Sequence, residues 1–561
     1  MKTDFPRSFF ENEVRSGFFV SSMMKRCWAS ALKILQEIDR ICRLHEIRWF
    51  LYGGALLGAV RHQGFIPWDD DIDIIMLRAD LERFINVAEK EMGQGCGVVD
   101  TRRQDGVYTA VVTVSNAGCS QKERVEQFYG YPFVASVDIM VLDDLHRDAE
   151  REAFRRKRLR DLDIAQELTE KGRTEDSVFE EWMKIIETDN HIVIRRDELL
   201  LTRLYRLEAE IISETVEEPE GMVECFFGPE DHYRYPKEWW EQIIYLPFER
   251  FSFPAPERFA EILKSDYNDY NKIVIGGASH EYPGYGGAER LFREKTGHNM
   301  LRYTVDKNDL FLPKVTPEEK AIAEMSEMLV EAEAKRVALR EGGDEENADK
   351  LFLAMQAMKE KQGALTAREE ALEENNDVVF LTCRAGWWPS LELLYRAFTQ
   401  EKDKNVIVIP IPWYTRTDSG AWEERHDERK GYPDDILLTS PDDYRLAEKR
   451  PAVIVTNFPF DGSDLCVGID QEYHTSYIRN LTKKLIYTPC FLHETPREGD
   501  LVSRTALRVL IEQPAVVYAD QIVLPSKELC VLYETVLTEI AGEDTETVWN
   551  EKLLTLSEFM E

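Results

Sequence analysis

Three rhythms of apolar and polar positions succeed one another along the chain. In the first, residues 47–52 (IRWFLY) form a short apolar run that reads as a strand, followed by Gly53-Gly54 as a tight turn and residues 55–61 as the start of a helix. Then Asp71-Ile72-Asp73-Ile74 alternates strictly. In a strand this sets both carboxylates on one face and both isoleucines on the other. Residues 135–142 make a second apolar strand, with Val137 and Ile139 facing one way and Asp138, Met140 and Leu142 the other.

The second rhythm is helical. Thr316-Pro317-Glu318-Glu319 carries a Thr cap, Pro at the first helical position and Glu three residues after the cap. Ile322, Met325, Leu329 and Ala332 then recur at helical spacing, Gly342-Gly343 interrupts, and Leu351, Met355, Met358 and Leu365 resume. The pattern predicts a helical hairpin with one apolar seam. The third rhythm alternates β-rich runs (378–382, 406–411, 453–456 and 485–487) with helical segments such as 389–398. It predicts a parallel sheet covered by helices on both faces. The fold class is therefore multidomain α/β, with regions at 1–313, 314–375 and 376–561.

At 561 residues the chain is too long for one core, and 43% hydrophobic content is ample for several. A formal net charge of −35 sets the mean field against nucleic acid and anionic membrane surfaces. Nine cysteines without a C-x-x-C pair read as a reduced chain with neither a disulfide framework nor a cysteine zinc site. The N-terminus carries acids where a signal peptide needs an apolar stretch, and no apolar run is long enough to span a bilayer. A cytoplasmic location with at most peripheral membrane contact is expected.

Charge repulsion changes the picture most. Asp69, Asp70, Asp71 and Asp73 crowd beside an apolar run, and buried like charges need a counter-ion. Mg²⁺ or Mn²⁺ takes oxygen ligands and leaves room for substrate phosphates. A D-x-D on one strand and Asp138 on a nearby one form a three-carboxylate set suited to clamping a diphosphate during phosphoryl transfer. A glycine turn that opens a helix offers backbone N–H groups to phosphate, and a plain packing turn is the alternative. Arg61 lies between turn and aspartates, within reach of phosphate oxygens, with a guanidinium that is always charged. Trp68 is either a stacking surface for a base or quaternary ammonium or a packing residue. Trp239 and Trp240 read as packing.

The stretch LYGGALLGAVRHQGFIPWDDDIDI resembles the defining motif of the LicD family, continued by ASVDIMVLDD and by WWEQIIYLPFERFSFPAPERFAEILKSDYNDY. That resemblance spans roughly residues 25–300. It implies a nucleotidyltransferase-like α+β fold and transfer of phosphocholine or a related alcohol phosphate to glycans. It puts Gly53 and Gly54 at the glycine turn, Asp71 and Asp73 at the metal-binding pair, and Asp138 at the third carboxylate. The chain departs from the family at Ser265-Asp266-Tyr267, where Tyr-Gly-Asp is usual, so Asp266 receives no catalytic role. In the third region VVFLTCRAGWWPSLELLYRAF, VIVIPIPWY, KGYPDDI, PAVIVTNFPFDGSD and LIYTPCF resemble, in order, the N-terminal half of CDP-glycerol glycerophosphotransferases. This implies a Rossmann-like half of a GT-B fold. Its candidate contacts are Trp387, Trp388 and the 457–461 turn, serving either acceptor binding or a scaffold.

The expected function is metal-dependent transfer of a phospho-alcohol from a CDP-linked donor to a glycan, lipid-linked glycan or teichoic-acid-type acceptor, releasing CMP. Asp71, Asp73 and Asp138 are the catalytic and metal-binding residues, and Gly53, Gly54, Arg61 and Trp68 bind substrate. Nucleotidyl transfer from an NTP and a non-catalytic glycan-assembly role are the alternatives.

Overall fold

Leading apolar runs become strands only where a neighbour completes their hydrogen bonds, and this shortens several predicted elements. The computed structural model describes residues 5–93, 95–109, 111–226, 233–276, 281–300, 302–370, 375–417 and 420–561. Two units share the chain: one holds residues up to Asn12 and Val20–Ala288, the other Glu13–Phe19 and Glu289–Glu561.

In the first unit α1 (Ser22–Leu44) starts at Ser21, whose side chain accepts from the Met24 N–H, a standard way of satisfying an orphan donor. β1 (Phe50–Leu51) is much shorter than the predicted strand, because its ladder is limited to two antiparallel pairs, Phe50↔Ile75 and Leu51↔Ile74. α2 (Gly53–His62) starts at the first of the two glycines. β2 (Asp73–Leu77) begins at the second aspartate of the D-x-D, although Ile72 O still accepts from the Asp138 N–H at 3.1 Å.

After α3 (Arg78–Glu91) come β3 (Gly97–Val99), β4 (Val112–Ser115) and β5 (Ser136–His146). The sheet order is β1-β2-β5-β4-β3, with β5 also pairing β6 (Pro219–Glu224), which pairs β7 (Arg234–Pro236). β2 and β5 run parallel, and β5 pairs antiparallel with β4 and β6. Helices α4 (Ala149–Glu170), α5 (Ser177–Asp189) and α6 (Leu200–Ile212) form an apolar cluster of their own through Leu162, Ala165, Phe179, Met183 and Leu204. The hairpin of β8 (Ile243–Phe248) and β9 (Phe251–Pro256) leads to α7 (Phe259–Tyr267).

The second unit contains the predicted hairpin as α8 (Pro317–Glu341) and α9 (Glu345–Glu370). Thr316 and Glu319 make the reciprocal capping box read from the sequence. The helices are antiparallel: Gln362 Nε2 donates to Ser326 Oγ at 2.6 Å near one end, and Arg340 pairs with Asp349 at 3.4 Å near the other. The parallel sheet follows, built from β10 (Asp377–Thr382), β11 (Asn405–Pro410), β12 (Val453–Thr456), β13 (Lys484–Tyr487), β14 (Gln521–Leu524) and β15 (Leu553–Thr555) in the order β11-β10-β12-β13-β14-β15. Every pairing in it is parallel. Helix α10 (Pro389–Phe398) covers it through Trp388, Leu391 and Leu394, which pack with Phe380 and Val455. All nine cysteines are free thiols. Among the described residues no helix is long and apolar enough to cross a membrane.

Candidate active site

The site forms where the central strands of the first unit meet the start of α2. Asp73 and Asp138 are direct partners in the parallel register of β2 on β5, so their side chains leave the same face of the sheet from adjacent strands. Their neighbours Ile74 and Ile139 are buried on the opposite face. β4 supplies the third layer of register: Thr113 stands opposite Asp138, and its Oγ1 donates to Asp138 Oδ1 at 2.7 Å. That bond orients the carboxyl.

Asp71 lies just before β2. It belongs to an acidic turn in which carboxylate oxygens of Asp69, Asp70 and Asp71 come within 4.8 Å of one another. Helix α1 holds this turn through its backbone: Trp28 Nε1 donates to Asp69 O at 2.7 Å, and Cys27 Sγ lies 3.6 Å from Asp70 O. The Gly284 N–H donates to Asp70 Oδ2. Burial, and then the neighbouring Asp71 carboxylate, push the Asp69 carboxyl well above the usual range. A set of hard carboxylate oxygens at this density suits a divalent cation.

The glycines explain how carboxylates approach a helix so closely. Gly53 has φ of 52°, in the left-handed region, and a Cβ there would stand 3.3 Å from Asp73 Oδ2. A Cβ on Gly54 would overlap Asp69 Oδ2. The pair therefore makes room for carboxylates at the positive end of α2.

The other predicted contacts divide differently. Arg61 Nη1 donates to the carbonyls of Tyr270 at 3.1 Å and Lys272 at 3.2 Å, so its guanidinium anchors the chain after α7. Burial draws its pKa down. Trp68 is 6% exposed and meets His62 edge-on at 6.0 Å, which makes it a packing residue rather than an open stacking surface. Trp240 is fully buried against Phe50, Tyr52 and Tyr235. In the second unit Trp388 is core, and Asn457 Nδ2 donates to Trp387 O and Ser390 Oγ, both at 3.0 Å. Asp461 Oδ1 accepts from Thr475 N–H at 2.7 Å and from its Oγ1 at 2.9 Å. Asn457 and Asp461 therefore brace the loops beyond β10 and β12.

Sequence reasoning missed Thr113, whose signal was its polar position within VTVS, and set Asp266 aside on motif grounds. Asp266 accepts from Tyr235 Oη at 2.8 Å, and Tyr235 Oη lies 3.0 Å from Tyr52 Oη. Burial pushes the Asp266 carboxyl up to about 7, against the pull of the Tyr235 hydrogen bond.

Comparison with known proteins finds a family model and curated relatives that match parts of the chain. The family model LicD/FKTN/FKRP, nucleotidyltransferase domain, matches residues 46–166, from just before β1 into α4. Lipopolysaccharide cholinephosphotransferase LicD of Haemophilus influenzae is 26% identical over 251 residues, which is 43% of this chain and 89% of that protein. Uncharacterized protein RP689 of Rickettsia prowazekii is 39% identical over 51 residues, 9% of this chain and 19% of its own length. Uncharacterized protein RT0683 of Rickettsia typhi is likewise 39% identical over 51 residues, 16% of its length. The class these matches support is a LicD-like phosphotransferase enzyme.

Proposed function

We propose that this protein transfers a phospho-alcohol from a CDP-linked donor to a hydroxyl of a cell-surface glycan, releasing CMP. Phosphocholine is the favoured group, because the H. influenzae relative is by name a lipopolysaccharide cholinephosphotransferase. Glycerol phosphate and ribitol phosphate are the polyol alternatives suggested by the resemblance of the third region to CDP-glycerol enzymes. The observation that carries the reading is the parallel register placing Asp73 opposite Asp138, beside a helix opened by Gly53 and Gly54.

In the reaction an acceptor oxygen bonds to the phosphorus bearing the alcohol. The bond from that phosphorus to the bridging oxygen breaks, CMP leaves, and the acceptor's proton passes to a base. Asp71, Asp73 and Asp138 would hold Mg²⁺ or Mn²⁺, which neutralises charge on the diphosphate when bound. Asp138, oriented by Thr113, either completes that set or takes the proton. The first turn of α2 would offer its positive end to the phosphates.

The test is incubation of the purified protein with Mg²⁺, a lipopolysaccharide acceptor, and CDP-choline, CDP-glycerol, CDP-ribitol or NTPs in turn, with products read by mass spectrometry. CMP from a CDP-alcohol is the expected product. Pyrophosphate from an NTP, without CMP from any CDP-alcohol, would reassign the site to nucleotidyl transfer. Absence of both products would overturn the reading in favour of a glycan-binding scaffold.

A further inference from the structure

The last turn of α7 reaches the glycine turn by two routes. The first is a chain of hydrogen bonds. Tyr235 has one hydroxyl proton and donates it to Asp266, so Tyr52 is the donor in the Tyr52–Tyr235 pair. Tyr235 is fully buried and Tyr52 is 6% exposed. Tyr52 immediately precedes Gly53, stands at the N-terminus of α2, and its backbone N–H donates to Asp73 O at 3.1 Å. Asp266 is thus wired to the backbone junction between the glycine turn and the metal-type carboxylates.

The second route is Tyr267. A Cβ built on Gly53 would stand 4.0 Å from the Tyr267 hydroxyl and 3.3 Å from Asp73 Oδ2, so the phenol lies over the same turn. Tyr267 is 41% exposed, and its hydroxyl makes no hydrogen bond to any described residue. A tyrosine hydroxyl is protonated at neutral pH and is therefore a donor. A hydroxyl donor this near the turn would be within reach of a phosphate oxygen held there.

We propose that the end of α7 is a wall of the transfer site, in which the Tyr267 hydroxyl donates to a non-bridging phosphate oxygen of the bound donor and Asp266 is a positioning residue that holds the glycine turn through Tyr235 and Tyr52. The Tyr267 half rests on the phosphotransferase reading above. The Asp266 half rests on the hydrogen-bond chain alone.

The probe for Tyr267 is inorganic pyrophosphate with Mn²⁺, titrated calorimetrically into the full-length protein. Tyr267→Phe is expected to weaken pyrophosphate binding about tenfold or more while leaving Mn²⁺ binding unchanged. Equal pyrophosphate affinity in Tyr267→Phe and wild type overturns the contact alone. A wild type that binds no pyrophosphate overturns the phosphate-site reading as well, which separates the two failures.

The positioning role is read without ligand, as amide hydrogen exchange across residues 52–57. Tyr235→Phe removes both hydrogen bonds and keeps the ring. It is expected to speed exchange there about three- to tenfold, while Asp266→Asn, which retains an acceptor oxygen, stays near wild type. Unchanged exchange in Tyr235→Phe overturns the role. Tyr52→Phe cuts the same chain one link nearer the turn and carries the same expectation should Tyr235→Phe fold poorly.

Discussion

The two sheets handle polar chemistry in opposite ways. In the first unit carboxylates sit on the strands themselves, with Asp73 and Asp138 paired across β2 and β5. In the second unit the residues of β12 are buried throughout, as are all but the first residue of β10, β13 and β14. There the polar residues Arg384 and Asn457 fall just after the strands. A parallel sheet covered on both faces has no room for strand carboxylates, so its chemistry-bearing residues move to loops at the strand ends. In the mixed sheet Asp73 and Asp138 are half-buried rather than buried. Strand register thus pairs carboxylates in one unit and apolar core residues in the other.

The largest effects should separate the units most cleanly. Asp73→Ala or Asp138→Ala is expected to lower CMP release about 10³-fold or more with far-UV circular dichroism unchanged. Chelation should do the same to wild type and be reversed by Mg²⁺ or Mn²⁺. Residual activity near wild type in either variant would break the contrast on the first unit's side.

Its mirror is Leu391→Ala, a fully buried side chain in the core of the second unit. This change should cost about 2–5 kcal/mol of stability in denaturant unfolding and leave CMP release unaltered below the unfolding transition. A parallel fall in CMP release while the protein is folded would give the second unit a part in the reaction.

Gly54→Ala sharpens the comparison at one atom. The added methyl displaces the Asp69 carboxylate from the start of α2, and transfer should drop about 10²-fold from misplacement alone. A melting temperature close to wild type, measured alongside, would assign that loss to the site rather than to unfolding.

The smallest effect is pH dependence. Asp266 holds its proton up to about 7, against an ordinary carboxyl value of 3.8. Between about pH 4 and about pH 7 the unfolded chain has released a proton that the folded protein keeps, so stability falls as pH rises through that window. Asp266→Asn should remove this component of the slope when urea midpoints are compared across the range. Identical slopes in the two proteins would place the Asp266 carboxyl at its ordinary value.

Much of the fold was legible because local rules and tertiary context agreed. The helical hairpin appears with its Thr316–Glu319 box, and β10 to β13 lie within a residue or two of the apolar runs that predicted them. β14 and β15 were not read from the sequence. The strand over 47–52 contracted to Phe50–Leu51 because its length depends on a partner's register. Arg61 and Trp68 fall between the glycines and the aspartates in the chain, and there Arg61 anchors carbonyls and Trp68 packs. Side-chain direction at such positions follows from neighbours far along the sequence.

By itself, the sequence determined which residues carry charge beside apolar strands, where helices start, and that a D-x-D and a lone strand aspartate needed something to offset their repulsion. Tertiary structure alone decided that residues 73 and 138 stand opposite each other, that Thr113 orients one of them, and that Asp266 and Tyr267 arrive from the end of α7. The reason is separation along the chain. Alternation and capping act over a few residues and are written locally, whereas register and hydrogen bonds between elements 65 to 214 residues apart, as from Asp73 to Asp138 or Tyr52 to Asp266, exist only once the sheet has closed.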